Sequence, residues 1–263
     1  MDVREGSMGE LPYLAVGSGP PLVVLAGLYP QAGVARGPLR AEHERTARLF
    51  ARGAEVFYVN RRAGLASGTS IAEVAAEHAA AMRAAFERPV DLLGMSTGGS
   101  IAQQIAAEHP DVVRRLVLIS TGCHLGPLAR QLQRRVAARI RAGAMRRATA
   151  VLAADLAPPG PLVLPAALAG WFWGPRIFTA DDLRDLATMA EAEDDFELSR
   201  LPKIKAPTLL VGGGRDRYYG TALFEQTAAL IPHCQLEIRR GLGHITVMWH
   251  PRALARIRFF LEA

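Results

Sequence analysis

The chain has 263 residues, 50% hydrophobic and 21% charged, and its 31 Lys+Arg against 25 Asp+Glu leave 31 − 25 = +6. That mix excludes a disordered chain, and two cysteines exclude a disulfide framework; the length fits one large α/β domain, or one domain carrying a sizeable insertion. Basic balance suggests nucleic acid, but only Lys203 and Lys205 are lysines and aromatics are 6%, unlike the mixed basic and aromatic strips that bind nucleic acid, so no such partner is expected.

Residues 1–5 lack the apolar core of a signal peptide, and no run reaches the ~18 apolar residues of a membrane span. A cytoplasmic protein without a membrane span is expected. Cys123 and Cys234 fit no metal or redox spacing and are expected as buried free thiols.

In chain order, residues 21–26, 55–59, 90–93, 116–119 and 207–211 read as strands, with a last one at 235–238. They are short, continuous apolar runs bounded by Gly, Pro or Asn, the pattern of strands buried on both faces of a parallel sheet. Helices fill the gaps. One spans 70–87 and opens with a capping box of Ser70 and Glu73; the others span 97–109, stopped by Pro110, then 221–231 and 252–261. This alternation predicts an α/β fold with a mostly parallel, doubly wound sheet.

The rhythm breaks between 125 and 201, where no strand pattern appears. Residues 127–148 read as one amphipathic helix, with Leu128, Leu132, Val136 and Ile140 four apart. A Pro-rich loop (157–161), the aromatic run Trp171-Phe172-Trp173 and a helix from about Thr179 follow. Residues 112–154 hold nine arginines and no acid, whereas 181–197 hold eight acids and one arginine. Two helices that pair with each other would explain the split; steering of an anionic substrate is the alternative. A helical block between two sheet strands predicts a cap of residues 125–201 on a core of 1–124 and 202–263.

Ser96 stands in Gly94-Met95-Ser96-Thr97-Gly98, directly after the strand at 90–93 and directly before a helix. A GxSxG in that setting puts the serine on a sharp turn, where neighbouring side chains would crowd the backbone and the helix N-terminus offers free N–H groups. A serine hydroxyl needs a base to act as a nucleophile. His244 lies in a Gly-flanked loop after the last strand, at the carboxyl edge of the sheet that also carries Ser96. His43, His78, His109, His124, His233 and His250 have no comparable setting. Asp216 follows the strand at 207–211 and can fix the base's tautomer. Asp91 sits inside a strand, and Asp194 and Asp195 sit in the inserted block. No residue cluster has metal-ligand spacing, so no metal or other cofactor is expected.

The order Ser96, Asp216, His244 joins the stretches Pro21-Leu22-Val23-Val24-Leu25-Ala26-Gly27, Arg61-Arg62-Ala63-Gly64 and Ile204-Lys205-Ala206-Pro207-Thr208. With these pieces the chain resembles the α/β-hydrolase superfamily over nearly its whole length, in the small capped branch of esterases, lactonases and C–C bond hydrolases. The resemblance implies an oxyanion hole made by the backbone N–H groups of Thr97 and Leu28, each worth ~3 kcal/mol of barrier. Two departures stand out. Ala26-Gly27 replaces the His-Gly of many relatives, and Asn60 stands where an Asp is common.

The expected function is hydrolysis of an ester, thioester or lactone of a moderately apolar small molecule, through an acyl-enzyme on Ser96. Trp171, Phe172 and Trp173 are candidate walls of the acyl pocket, or else pack the cap onto the sheet. Acyl transfer, C–C bond hydrolysis and non-enzymatic ligand binding on the same scaffold remain open.

Overall fold

The computed structural model describes residues 2–157 and 160–263. Eight strands form one sheet among these residues: β1 (Val3–Met8), β2 (Leu11–Gly17), β3 (Pro21–Leu25), β4 (Glu55–Val59), β5 (Val90–Met95), β6 (Val113–Ile119), β7 (Thr208–Gly213) and β8 (Cys234–Arg239). Their spatial order is β1-β2-β4-β3-β5-β6-β7-β8. The pairs β1–β2 and β2–β4 are antiparallel and the other five are parallel.

The helices are α1 (Gly37–Phe50), α2 (Ile71–Ala85), α3 (Thr97–Glu108), α4 (Pro127–Arg141), α5 (Met145–Leu156), α6 (Val163–Ile177), α7 (Ala180–Asp194), α8 (Gly220–Leu230) and α9 (Pro251–Glu262). Successive side chains of a strand point to opposite faces. Val23, Leu25 and Leu92 therefore pack with α2, α3 and α8, while Leu22, Val24 and Leu93 pack with α1 and α9. Both faces are covered, so the central strands read as unbroken apolar runs. The chain leaves β3 toward β4 on one side and pairs β5 on the other, a topological switch point whose crevice lies beyond the carboxyl ends of the strands.

Helices α4 to α7 fall between β6 and β7; α4, α5 and α7 share a small core of Val136, Ile140, Ala148, Leu183, Leu186 and Ala190, against which Leu28 also packs. The arginine-acid split resolves in part into pairing, through three of the nine arginines. Arg134 Nε lies 2.6 Å from Asp194, Arg130 Nε 3.4 Å from the same carboxylate, and Arg141 Nη2 2.5 Å from Glu191. Arg114 pairs with the buried Asp91.

Several elements depart from the sequence expectation. Residues 127–148 are two helices, because Gly143 adopts φ +72° and closes α4 with amide bonds from Gly143 to Ile140 O and from Ala144 to Arg139 O. The aromatic run lies in a helix, α6, that Pro165 and Pro175 hide in the sequence. Pro175 cannot bond the carbonyl of Trp171, and the Arg146 guanidinium approaches that oxygen at 3.5 Å instead. Strands β1 and β2 and helix α1 carry no clear sequence signal. β1 is a mostly exposed edge, β2 contains Pro12, and the buried stripe of α1 includes His43 and Thr46. Cys234 is half-buried rather than buried. Pro158 and Pro159 of the expected loop lie outside the described residues. Among those residues, no helix is long and apolar enough to cross a membrane.

Candidate active site

The turn between β5 and α3 is built from backbone crowding. Ser96 adopts φ 51°, ψ −123°, and its N–H donates to Ile119 O at 3.0 Å. Such a left-handed φ on a non-glycine residue is strained and persists only where its surroundings enforce it. A Cβ on Gly94 would fall within 3.0 Å of Gly98 O and Gly99 Cα; one on Gly98 would fall within 3.0 Å of Ala26 O and Leu25 O. The motif's glycines thus let α3 start against the end of β3, where the Gly27-Leu28 loop begins.

The three residues brought forward by the sequence meet here. His244 Nε2 lies 3.1 Å from Ser96 Oγ, and His244 Nδ1 lies 2.8 Å from Asp216 Oδ2. Asp216 is buried, and its other oxygen accepts the N–H groups of Tyr218 (2.8 Å) and Tyr219 (3.2 Å). An acceptor held this way fixes a neighbouring imidazole with Nδ1 protonated and Nε2 free to accept the serine proton. The His244 loop has its own supports. Arg215 N–H donates to Leu242 O, Gly243 N–H to Thr246 Oγ1, and Ser120 Oγ to His244 O, each at 2.8 Å.

Leu28 and Thr97 line one small cavity of about 10 Å³ together with Gly27, Asn60, Arg61 and His78. Thr97 is the first residue of α3, so its N–H has no intrahelical acceptor. Trp171, Phe172 and Trp173 lie apart from this cavity. They sit on α6, with 36%, 53% and 61% of their surface exposed. The helix instead buries small residues on α5: a Cβ at Gly170 or Gly174 would collide with Thr149.

Arg61 is buried beside the cavity, donates to Pro30 O at 3.1 Å, and has its guanidinium pulled down to about 10 by desolvation, against Asp185 and Asp182. Asp185 accepts the N–H groups of Gly64 (2.8 Å) and Leu65 (2.9 Å), fastening α7 to that loop. Asn60 donates to Gln31 O at 2.8 Å, so an amide ties the loop after β4 to the loop after β3. Among the described residues, no cluster of His, Cys, Asp or Glu is placed to hold a metal.

Four neighbours of the site carry no signal in the sequence. Tyr218 meets the His244 ring edge-on at 4.8 Å, and Tyr219 stacks on it at 5.9 Å. Tyr218 Oη donates to Asp155 of α5 at 2.6 Å. Ser120 is the third, with φ 50° after β6. The fourth is Glu193 of α7, which has no exposed surface and whose pKa burial pushes up, opposed by hydrogen bonds led by that from Thr97.

Comparison with known proteins identifies the family. The model of the alpha/beta hydrolase family matches residues 17–257. The chain is 34% identical over 170 residues to polyketide synthase ThaQ of Burkholderia thailandensis, a match covering 62% of the chain and 8% of the synthase. It is 26% identical to monoacylglycerol lipase abhd6-B of Xenopus laevis, over 65% of the chain and 54% of the lipase. It is 29% identical to a pimeloyl-[acyl-carrier protein] methyl ester esterase of Neisseria meningitidis, over 69% of the chain and 73% of the esterase. The chain thus spans much less than two thirds of the first two. The enol-lactonase of Burkholderia xenovorans LB400 shares the fold with a TM-score of 0.74 at 20% identity, over 99% of this chain and all of that one.

Proposed function

Because this chain belongs to the alpha/beta hydrolase family, we propose that it is a serine hydrolase cleaving an ester, thioester or lactone of a moderately apolar small molecule. The observation that carries this reading is the continuous hydrogen-bonded chain Asp216–His244–Ser96, at 2.8 and 3.1 Å, on a strained elbow. Ser96 Oγ attacks the carbonyl carbon while His244 Nε2 takes its proton. The tetrahedral oxyanion accepts the N–H groups of Thr97 and Leu28, each worth ~3 kcal/mol of barrier. Collapse expels the alcohol or thiol, protonated by His244. Water, deprotonated by His244, then attacks the acyl-enzyme; the Ser96 Oγ–acyl bond breaks as His244 returns the proton to Oγ, and the acid leaves. Asp216 keeps the imidazole oriented and stabilises its charged form throughout.

Residues 125–201 act as a cap in this reading. Trp171, Phe172 and Trp173, with Leu164 and Leu168 on the same helix, leave an exposed apolar face on α6 that is available to an acyl chain. The relatives include a methyl ester esterase and a monoacylglycerol lipase, which favours carboxylic esters among the three substrate types.

The test is Ser96→Ala, assayed on p-nitrophenyl esters of graded chain length. Loss of the nucleophile should lower kcat on the order of 10⁴-fold or more. Undiminished esterase activity would remove the assignment.

A further inference from the structure

Glu193 is a completely buried carboxylate that neither the hydrolytic steps nor any general feature of a serine elbow requires. Four neutral donors converge on it from three separate stretches of chain. Thr97 Oγ1 donates to Oε2 at 2.6 Å and Ser100 Oγ to Oε1 at 2.9 Å, both from the first turn of α3. Gln133 Nε2 of α4 donates to Oε2 at 2.8 Å, and Tyr219 Oη, three residues after Asp216, donates to Oε1 at 3.3 Å. Burying such a group is unfavourable unless its acceptor sites are filled, so the surrounding geometry is held tightly.

Two of those donors belong to residues that adjoin the triad. Thr97 follows the serine and carries an amide of the oxyanion hole in the reading above. Tyr219 presents its N–H to Asp216 and lays its ring, nearly parallel at 10°, on the His244 imidazole. A route of direct contacts therefore runs from the oxyanion side through Thr97, Glu193 and Tyr219 to the base and its acid. It passes through a helix that lies between β6 and β7 in the chain.

We propose that Glu193 is a positioning residue for the hydrolytic reaction, clamping the first turn of α3 and the Asp216–Tyr219 loop in one register, so that α7 completes the active site as well as covering it. The proposal rests on the serine-hydrolase reading. Catalytic groups displaced by about 1 Å lose roughly 10²-fold in rate, and Glu193 lies one contact away from both halves of the machinery.

The experiment compares Glu193→Ala, Glu193→Gln and Asp185→Ala in the full chain. Asp185 is a buried carboxylate of the same helix whose hydrogen bonds fasten it to Gly64 and Leu65, rather than to α3 or Tyr219. Three quantities are read well below the melting temperature: the rate of Ser96 labelling by a fluorophosphonate probe, kcat and KM on a p-nitrophenyl ester, and Tm. Glu193→Ala should lower both labelling rate and kcat about 10²-fold with KM within about threefold. Glu193→Gln keeps the shape and one acceptor oxygen, so it should fold even where the alanine variant does not and show a smaller loss, about tenfold. Asp185→Ala should lower Tm comparably yet keep kcat within about threefold.

Wild-type labelling and turnover by both Glu193 variants would overturn the proposal. So would equal kcat losses in the Asp185 and Glu193 variants, which would make Glu193 a plain structural anchor. Absence of labelling in the wild-type protein would instead overturn the hydrolase reading beneath it.

Discussion

Replacing His43 by Phe and His78 by Gln should flatten the acid limb of this protein's stability. His43 in α1 lies between Tyr29 and Tyr58, with ring centroids at 4.6 and 4.9 Å, and its Nε2 has no hydrogen-bond partner among the described residues. His78 in α2 is buried with Nδ1 2.8 Å from Val74 O. Desolvation pulls both from the usual 6.5 to about 4, since burial would strip an imidazolium of its water, and at His43 this outweighs the Glu42 carboxylate 3.9 Å from Nε2. The native pKa is then below the unfolded one, so the unfolded chain binds protons first as pH falls. The stability held by the neutral rings is complete above about pH 6.5 and drains away between there and about pH 4. From pH 7 to 4.5 the linkage amounts to roughly 2–3 kcal/mol per histidine, about 5 for the pair, against a typical total of roughly 5–15 kcal/mol. Glu193 acts in the opposite sense: its raised pKa favours proton uptake by the native state and offsets part of the loss. The aromatic replacement keeps a ring between the two tyrosines, and glutamine keeps an uncharged hydrogen-bonding side chain in a helix. Urea unfolding at intervals from pH 7.5 to 4.5 measures the slope. Identical acid slopes in the wild-type and double-variant proteins would refute the reasoning.

Other expectations follow from single contacts. Asp216→Asn should lower kcat about 10⁴-fold on p-nitrophenyl esters, because Oδ2 sets the tautomer of His244 from 2.8 Å; a loss under tenfold would count against the triad. Gly98→Ala forces a methyl group within 3.0 Å of two main-chain oxygens of the β3 end, so α3 must back away from the Leu28 loop. Stability should fall by about 1–3 kcal/mol and kcat by about 10²-fold, read as Tm and turnover on the same preparation. Arg130, Arg134 and Arg141 are engaged by Asp194 and Glu191. For an anionic ester, kcat/KM should therefore change less than about threefold as salt rises through the range that shortens the Debye length from ~10 to ~3 Å. A steep fall would restore substrate steering by that arginine-rich stretch. Amide hydrogen exchange should be faster in α6 than in α7, since α7 is pinned by Asp185 and Glu193 whereas α6 leaves Leu164, Leu168 and Trp173 exposed.

The central strands were readable because burial on both faces writes itself as continuous apolar runs, and the elbow because glycine is the only residue that fits at Gly94 and Gly98. His244 and Asp216 were readable because loops at the carboxyl edge of a parallel sheet converge, whatever their separation in the chain. What the sequence hid was polar and inward-facing. The edge strand β1 lacks an apolar face, and α1 buries His43 and Thr46 where a periodicity argument looks for Leu or Val. Helix α7 is the sharpest case. Its acids suggest a helix that pairs with the arginine-rich stretch, and Glu191 and Asp194 do meet arginines of α4. Yet Asp182, Asp185, Met189 and Glu193, spaced three, four and four apart, form one buried stripe. That is the helical period carried mostly by carboxylates instead of aliphatics. Each carboxylate finds donors that only the assembled fold supplies: Arg36, the amides of Gly64 and Leu65, and the hydroxyls of Thr97, Ser100 and Tyr219. A helix that buries acids at this spacing stays in place only while those donors do. Its attachment is therefore tied to the integrity of the elbow, and a change at Glu193 should be felt at Ser96 as well as in the fold.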